Sequence, residues 1–262
     1  MRCVFYIGLL LLASCATPEP LPPVRDASYD AWLVSFKQKA REAGISEQTL
    51  EEAFAAVSTP DETVLRLDRK QPESTMTLEQ YMQKVITPSR IENGRALLTE
   101  HQAVLTQVSE TYAVPPEYIV ALWGIETSYG NNTGGFSIID ALATLAYDGR
   151  RSEYFGGELM NALRIIDADH IEAYDMQGSW AGAMGQCQFM PSSFLAYAVD
   201  YDGDGRRDIW NTQADVFASI ANYLSRSGWN GDRENNFNVL LKWNRSRYFA
   251  TAVMKIAEGI KE

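Results

Sequence analysis

The feature that most constrains the fold is an apolar stretch at residues 118–125, which carries no charged side chain. Pro115 and Pro116 precede it, and proline suits the first turn of a helix because its missing N–H would have no partner there. Gly130 marks the expected end of the helix. Since a helix that is apolar on every side is a buried one, the stretch predicts a helix in the core.

Glu126 closes this apolar stretch with a carboxylate. Burial disfavours the ionised form of a carboxyl group and raises its pKa. A raised pKa allows a glutamic acid to donate a proton near neutral pH. Taken alone, the stretch favours the alternative, a solvated or salt-bridged glutamate at a helix end. Glu126 is therefore a candidate proton donor that needs support from the rest of the chain.

The composition indicates a globular protein, with 46% hydrophobic and 22% charged residues. A chain of 262 residues can form one large domain or two small ones, each with a substantial core. The net charge of -11 argues against nucleic acid as a partner and against electrostatic attraction to anionic lipid. A neutral or polymeric substrate remains compatible with this charge.

The N-terminus predicts export. Met1 and Arg2 are followed by an apolar segment at residues 4–12, which is too short to span a bilayer and is typical of a cleaved signal. The sequence Leu-Ala-Ser-Cys that ends at Cys15 resembles the bacterial lipoprotein box, in which the cysteine is lipidated. Residues 1–15 are thus predicted to be a lipoprotein signal, and ordinary secretion with an incidental cysteine is the alternative. Ala16 carries no evident inner-membrane retention signal, which favours an outer-membrane lipoprotein facing the periplasm.

The mature chain is predicted to be mainly α. Residues 16–28 are proline-rich and polar, and they predict an extended tether. From residue 29 to residue 262 apolar residues recur at helical spacing, with no convincing strand alternation, and a long helix is predicted over 91–112. Once Cys3 is removed and Cys15 is modified, Cys187 is the remaining cysteine, so no intramolecular disulfide is expected.

A segment at residues 179–193 is unusual for a helical protein. Small residues surround Met184 and permit close approach of the backbone to a bulky neighbour. Gln188 offers both a hydrogen-bond donor and an acceptor beside the ring of Phe189, a combination that suits a sugar with an N-acetyl group. The alternative is tight helix packing with Phe189 in the core.

An acidic loop follows, and its spacing matches a calcium-binding loop. Carboxylates stand at alternate positions, a glycine follows the third, and the backbone carbonyl of Arg206 is placed to bind the ion. Asn211 stands where the pattern has a bidentate glutamate, and Asp208 or Asp215 would supply the missing oxygen. A solvated acidic turn is the alternative. The predicted cation ligands are Asp200, Asp202, Asp204, Arg206, Asp208 and Asp215.

Together these segments resemble the membrane-bound lytic transglycosylase B family. The matching segments occur in the family's order over roughly residues 30–260. They are residues 124–130, Arg150-Arg151, residues 182–185, residues 188–193, and residues 200–210. The resemblance implies a lysozyme-like core over about residues 90–230, a helical lobe over 29–90, further C-terminal helices and an EF-hand-like cation-binding loop.

The family's activity implies cleavage of peptidoglycan at the β-1,4 bond between N-acetylmuramic acid and N-acetylglucosamine, with formation of a 1,6-anhydromuramoyl end. The resemblance implies no catalytic cofactor, a structural calcium or other hard cation, glycan strands as the partner, and a monomer. A hydrolytic muramidase with a second carboxylate is one alternative. A non-catalytic, calcium-stabilised peptidoglycan-binding lipoprotein is the other.

The family's catalytic glutamate falls on Glu126, as sole acid and base. Ser179 is expected to orient the substrate's acetamido group, and Tyr248 to form a hydrogen bond near Glu126. Trp243 stands where the family pattern has a tyrosine. The implied substrate-binding residues are Tyr81, Arg150, Arg151, Ser179, Gln188, Phe189, Tyr223, Asn244 and Tyr248.

Overall fold

A computed structural model describes residues 27–70 and 76–262. The predicted signal, the lipidation site Cys15 and the tether up to residue 26 lie outside these residues. Within them the prediction of a mainly α fold is confirmed, because thirteen helices and one two-stranded sheet account for the regular structure. The first helix begins at Ala27, so the last two residues of the predicted tether are helical.

The helices of the described residues are α1 (Ala27–Glu42), α2 (Glu47–Ala53), α3 (Glu62–Arg69), α4 (Leu78–Val85), α5 (Pro88–Glu100), α6 (Gln102–Tyr112), α7 (Pro116–Thr127), α8 (Ile138–Tyr147), α9 (Ser152–Asp167), α10 (Pro191–Tyr197), α11 (Gln213–Arg226), α12 (Arg233–Trp243) and α13 (Arg247–Lys261). The strands β1 (Phe136–Ser137) and β2 (Gln177–Gly178) pair in antiparallel register.

Helix α7 is the predicted core helix. Pro116 occupies its first turn, and the residues from Ile119 to Gly124 are buried. The helix ends because Ser128 and Tyr129 adopt positive φ angles of 50° and 63°, and Gly130 follows at 80°. Helices α5, α6, α11 and α13 pack against α7. Helix α7 is thus enclosed by four neighbouring helices.

The helix predicted over residues 91–112 is divided in two at His101, and that prediction is wrong in this respect. The backbone leaves the helical conformation at His101, whose φ is -98° and ψ is 17°. The ring centroid of His101 lies 5.9 Å from that of Trp123 and 5.3 Å from that of Phe217. Packing against α7 and α11 therefore overrides the local helical pattern.

The second layer of the fold is built on α8 and α9, which pack against each other and carry α3, α2 and α10. The short β1–β2 pair joins this layer to the segment after residue 178. Close backbone approach requires Gly134 and Gly178, since a Cβ on either would meet a carbonyl oxygen at 2.1 Å. None of the helices in residues 27–70 and 76–262 has the length and apolar character needed to cross a membrane.

Candidate active site

Glu126 is the penultimate residue of α7 and the centre of the candidate site. Its Oε1 accepts a hydrogen bond of 2.7 Å from the Trp243 indole Nε1. The side chain retains partial access to solvent, yet desolvation by the surrounding protein raises the pKa of the carboxyl to about 7, against a smaller lowering by the Trp243 hydrogen bond. Both protonation states of Glu126 are thus accessible near neutral pH.

Aromatic side chains form a wall beside Glu126. The ring of Trp243 lies 5.3 Å from that of Phe189 and 4.7 Å from that of Tyr223, and Tyr197 packs 4.5 Å from Tyr223. Burial and the neighbouring Tyr197 raise the pKa of Tyr223 to about 12, so its hydroxyl stays protonated at neutral pH. Phe189 is buried in the core, as its alternative interpretation predicted, so the accessible part of the wall is formed by the half-buried rings of Trp243 and Tyr223. An apolar ring with a polar tip suits a sugar.

The loop at residues 184–189 fixes the position of Phe189. Met184 and Phe189 exchange backbone hydrogen bonds of 2.8 and 3.1 Å, and Gln188 at the turn has a φ of 50°. The Gln188 Nε2 donates to the carbonyl oxygens of Thr133 and Gly185, both at 3.0 Å. The side-chain amide N–H groups of the predicted binding residue Gln188 thus donate within the protein. These hydrogen bonds fix the turn that positions Phe189.

Ser179 lies at the start of a second tight turn. Its Oγ accepts a hydrogen bond of 3.0 Å from the Ala183 N–H, and Gly182 adopts a φ of 93°. A hydroxyl that accepts in this way can still donate its own proton. Ser179 is half-buried, which leaves that proton available for an acceptor on a ligand.

Gln186 is a residue of the site region that the sequence analysis did not single out. Its Oε1 accepts from Trp123 Nε1 at 2.7 Å, and its Nε2 donates to the Trp210 carbonyl at 2.8 Å. Its backbone carbonyl also accepts from the Thr127 hydroxyl at 3.2 Å. Gln186 is buried, and it ties the end of α7 to the acidic loop. The sequence feature that could have identified Gln186 is its position two residues before Gln188, within the segment rich in small residues.

Two other predicted binding residues lie where α12 ends and α13 begins, and a third, Tyr81 on α4, packs against one of them. Asn244 caps α12 directly after Trp243, is exposed, and accepts a hydrogen bond of 3.0 Å from the Ser246 N–H. Tyr248 lies in the first turn of α13, with its ring 5.9 Å from that of Tyr81 on α4. Tyr248 is predicted to form a hydrogen bond near Glu126, and the hydrogen bond that Glu126 itself accepts comes from Trp243.

Arg150 and Arg151 lie in the turn between α8 and α9, where both pair with the buried carboxylate of Asp68 on α3, each at 3.1 Å. Arg151 also lies over the Phe155 ring, 4.6 Å from its centroid. The two arginines therefore link the turn between α8 and α9 to helix α3. Their side chains are 54% and 47% exposed, so each guanidinium retains donors that face solvent.

The acidic loop brings three of the predicted cation ligands together. One carboxylate oxygen each from Asp200, Asp202 and Asp204 lies within 4.8 Å of the others. Such a group of oxygens fits a hard cation. The predicted ligand Arg206 is exposed, and its guanidinium lies 3.6 Å from Asp169.

Asp208 and Asp215 bind the backbone of the loop instead of joining that group of carboxylates. Asp208 Oδ1 accepts from the N–H groups of Trp210 and Asn211, each at 2.9 Å. Asp215 is fully buried, and its two oxygens accept from the N–H groups of Tyr201 and Asp208, each at 2.7 Å. These two carboxylates fasten the loop to itself and to α11.

A glutamate with a pKa near 7 at the end of a core helix, beside an aromatic wall, is typical of carbohydrate-cleaving enzymes of the lysozyme type. The chain belongs to the transglycosylase SLT domain family, which matches residues 28–234. Membrane-bound lytic murein transglycosylase B of Escherichia coli is 36% identical over 195 residues, which are 71% of this chain and 54% of that protein. The chain thus spans about half the length of this relative.

Two solved structures share the fold. SltB3 from Pseudomonas aeruginosa, in complex with NAG-anhNAM-pentapeptide, matches with a TM-score of 0.87 and 35% identity, over 90% of this chain and 80% of that one. The E. coli lytic transglycosylase Slt35, in complex with calcium, matches with a TM-score of 0.78 and 29% identity, over 87% of this chain and 92% of that one. These matches confirm the predicted family and the lysozyme-like, mainly α fold class. Trp243 lies beyond the part of the chain that the family matches.

Proposed function

We propose that this protein is a lytic transglycosylase that cleaves the β-1,4 bond between N-acetylmuramic acid and N-acetylglucosamine in peptidoglycan and leaves a 1,6-anhydromuramoyl end. Glu126 protonates the leaving oxygen as the bond from C1 breaks. The ionised Glu126 then takes the proton of the C6 hydroxyl as the C6 oxygen bonds to C1. No water is consumed, and Glu126 ends in its starting protonation state.

The observation that carries the proposal is the position of Glu126 at the end of the core helix α7, against the aromatic wall, where burial raises the pKa of its carboxyl to about 7. A group with this pKa acts as acid and as base at neutral pH without a large energetic penalty in either role. Ordinary glycosidases divide these roles between two carboxyl groups. Here the acetamido group of the substrate supplies the second function by stabilising C1 when the leaving group departs. The ligand of the P. aeruginosa relative carries the anhydro sugar that this reaction forms.

The groove residues take roles that follow from their chemistry. Tyr223 presents its half-buried ring to a sugar, and the buried ring of Phe189 supports it from the core. The hydroxyl of Ser179 donates to the acetamido oxygen. Arg150 and Arg151 direct their exposed donors at the carboxylate-bearing lactyl or peptide portion of the substrate. The remaining contacts of the groove are assigned to Tyr81, Gln188, Asn244 and Tyr248.

Mass spectrometry of the fragments released from purified peptidoglycan tests the reaction type. A lytic transglycosylase leaves muramoyl ends that are one water lighter than those left by a hydrolytic muramidase. Fragments with reducing ends would support the muramidase alternative, which needs a second carboxylate to activate water. Binding to peptidoglycan with no release of fragments would support the non-catalytic alternative.

A structural calcium or another hard cation is assigned to the acidic loop, with the carboxylates of Asp200, Asp202 and Asp204 as its ligands. Clustered carboxylates repel one another, and a divalent cation removes that repulsion. The complex of the E. coli relative Slt35 with calcium supports the assignment. The ion would stabilise the loop between α10 and α11 and take no part in the chemistry at Glu126.

The protein is further assigned to the outer membrane, facing the periplasm, as a monomer anchored through lipidated Cys15. Peptidoglycan strands, the proposed substrate, lie in that compartment. The E. coli relative is named as membrane-bound, which supports the assignment.

Replacement of Cys15 by serine should move the protein from the membrane fraction to the soluble fraction of cells. A Cys187→Ser variant, which leaves the predicted lipoprotein box intact, is the matched control and should stay with the membranes. Retention of the Cys15→Ser variant in the membrane fraction would contradict a lipid anchor at this position.

A further inference from the structure

We propose that Trp243 is a positioning residue that selects which oxygen of the Glu126 carboxyl carries the transferable proton. This inference rests on the proposed role of Glu126 as proton donor. The Trp243 Nε1 lies 2.7 Å from Glu126 Oε1. An indole N–H is a donor only and has no lone pair with which to accept. Trp243 can therefore hold Glu126 in one arrangement only.

The two oxygens of a protonated carboxyl group differ as acceptors. The carbonyl oxygen keeps its full acceptor capacity, whereas the hydroxyl oxygen carries the proton and donates. Because the indole N–H must donate to Oε1, the proton of Glu126 is placed on Oε2. A tyrosine at position 243 could donate or accept, and it would permit the proton on either oxygen.

The indole is held so that this choice is maintained. Trp243 is the last residue of α12. Its ring packs against Phe189 at 5.3 Å and against Tyr223 at 4.7 Å, between centroids. A ring packed on two sides cannot turn its N–H away from Glu126 without disrupting the aromatic wall.

The titratable groups nearest to Glu126 do not change their protonation state near pH 7. Burial, aided by the Glu126 charge, raises the pKa of the Cys187 thiol well above its ordinary value. The pKa of Tyr223 is raised to about 12. Both groups therefore stay neutral between about pH 5 and pH 9.

Titratable and charged groups on the other elements packed against α7 contact partners other than Glu126. Lys261 of α13 pairs with Glu117 in the first turn of α7. The His101 ring, between α5 and α6, packs against Trp123. The carboxylate of Asp215 on α11 accepts N–H groups of the acidic loop. A titration near pH 7 that is sensed at Trp243 is thus assigned to Glu126.

The test compares the Trp243→Phe and Trp243→Tyr variants with the control Trp229→Phe. The control removes a buried indole whose Nε1 has no hydrogen-bond partner among the described residues. Loss of the donor destabilises ionised Glu126. In Trp243→Phe the fall of kcat/KM at high pH should therefore move upward by about one pH unit, and kcat should drop about tenfold. Trp243→Tyr should restore part of kcat, and Trp229→Phe should match the wild type in both measurements.

A second measurement needs no turnover. The indole N–H resonance of Trp243, identified by its absence in Trp243→Phe, should shift with pH around 7 in the wild type and stay constant in Glu126→Gln. The inference would be overturned if the Trp243 N–H resonance did not shift with pH in the wild type. It would also be overturned if the pH profile of kcat/KM were unchanged in Trp243→Phe. With an anhydro product still formed, either result would leave the proposed function intact. Reducing ends in the product would instead overturn the proposed function, whatever the resonance does.

Discussion

Replacement of Glu126 by glutamine is expected to lower the release of fragments from peptidoglycan by about a thousandfold or more, because the same carboxyl is the acid and the base of the reaction. Glutamine has nearly the same shape and can still accept the Trp243 N–H at its Oε1, so binding should persist. The rate is measured as soluble fragments released over time. Glu117→Gln is the matched control, since Glu117 lies in the first turn of the same helix.

Although Glu126→Gln should lose activity, its free energy of unfolding should rise above that of the wild type at pH 8. The carboxyl of Glu126 has a pKa of about 7 in the folded protein against an ordinary value of 4.5. Between these values the folded state binds more protons than the unfolded state, so the wild type loses stability as the pH rises. With allowance for the partial exposure of the side chain, Glu126→Gln should be more stable than the wild type by about 2 kcal/mol at pH 8. At pH 4 the two should unfold alike in urea.

The two measurements together separate chemistry from folding. A variant that is inactive and also less stable at pH 8 would indicate a damaged structure instead of a lost proton donor. Activity within tenfold of the wild type would contradict the role of Glu126. The Glu117→Gln control should remain active, because Glu117 lies at the opposite end of α7 and pairs with Lys261 at 3.6 Å, away from the site.

Replacement of Asp215 by asparagine should lower the free energy of unfolding by about 2–4 kcal/mol. Asp215 is fully buried, and both of its oxygens accept backbone N–H groups, from Tyr201 and from Asp208, at 2.7 Å. Asparagine has one acceptor oxygen, and its NH2 group would face the second N–H. Urea unfolding of the purified protein measures the loss.

Calcium distinguishes Asp215 from the proposed cation ligands. Asp202 is exposed and belongs to the group of three carboxylates. Asp202→Asn should therefore unfold like the wild type in a chelator and fail to gain the stability that calcium adds to the wild type. Asp215→Asn should be destabilised under both conditions. Full recovery of Asp215→Asn in calcium would mean that Asp215 acts mainly through the ion.

Features that depend on neighbouring residues were predictable from the sequence. The apolar run before Glu126 predicted a buried helix, because burial follows from the local pattern of side chains. It made Glu126 a candidate proton donor, which the family resemblance then favoured over a solvated glutamate. The alternating carboxylates predicted the cluster of Asp200, Asp202 and Asp204, because that spacing folds back within a few residues. The mainly α class followed from helical periodicity, although the break at His101 did not.

Features that depend on residues far apart in the chain were decided by the tertiary structure. Trp243 stands 117 residues from Glu126, and no local pattern states that its indole reaches that carboxyl. The pairing of Arg150 and Arg151 with Asp68 requires the packing of α3 near the α8–α9 turn. Sequence periodicity determines which face of a helix is buried, whereas the geometry of packing determines which polar groups meet. The sequence by itself therefore identified Glu126 as the candidate acid, through the apolar run together with the family's ordered segments. The hydrogen-bond partner of Glu126 was decided only by the tertiary structure.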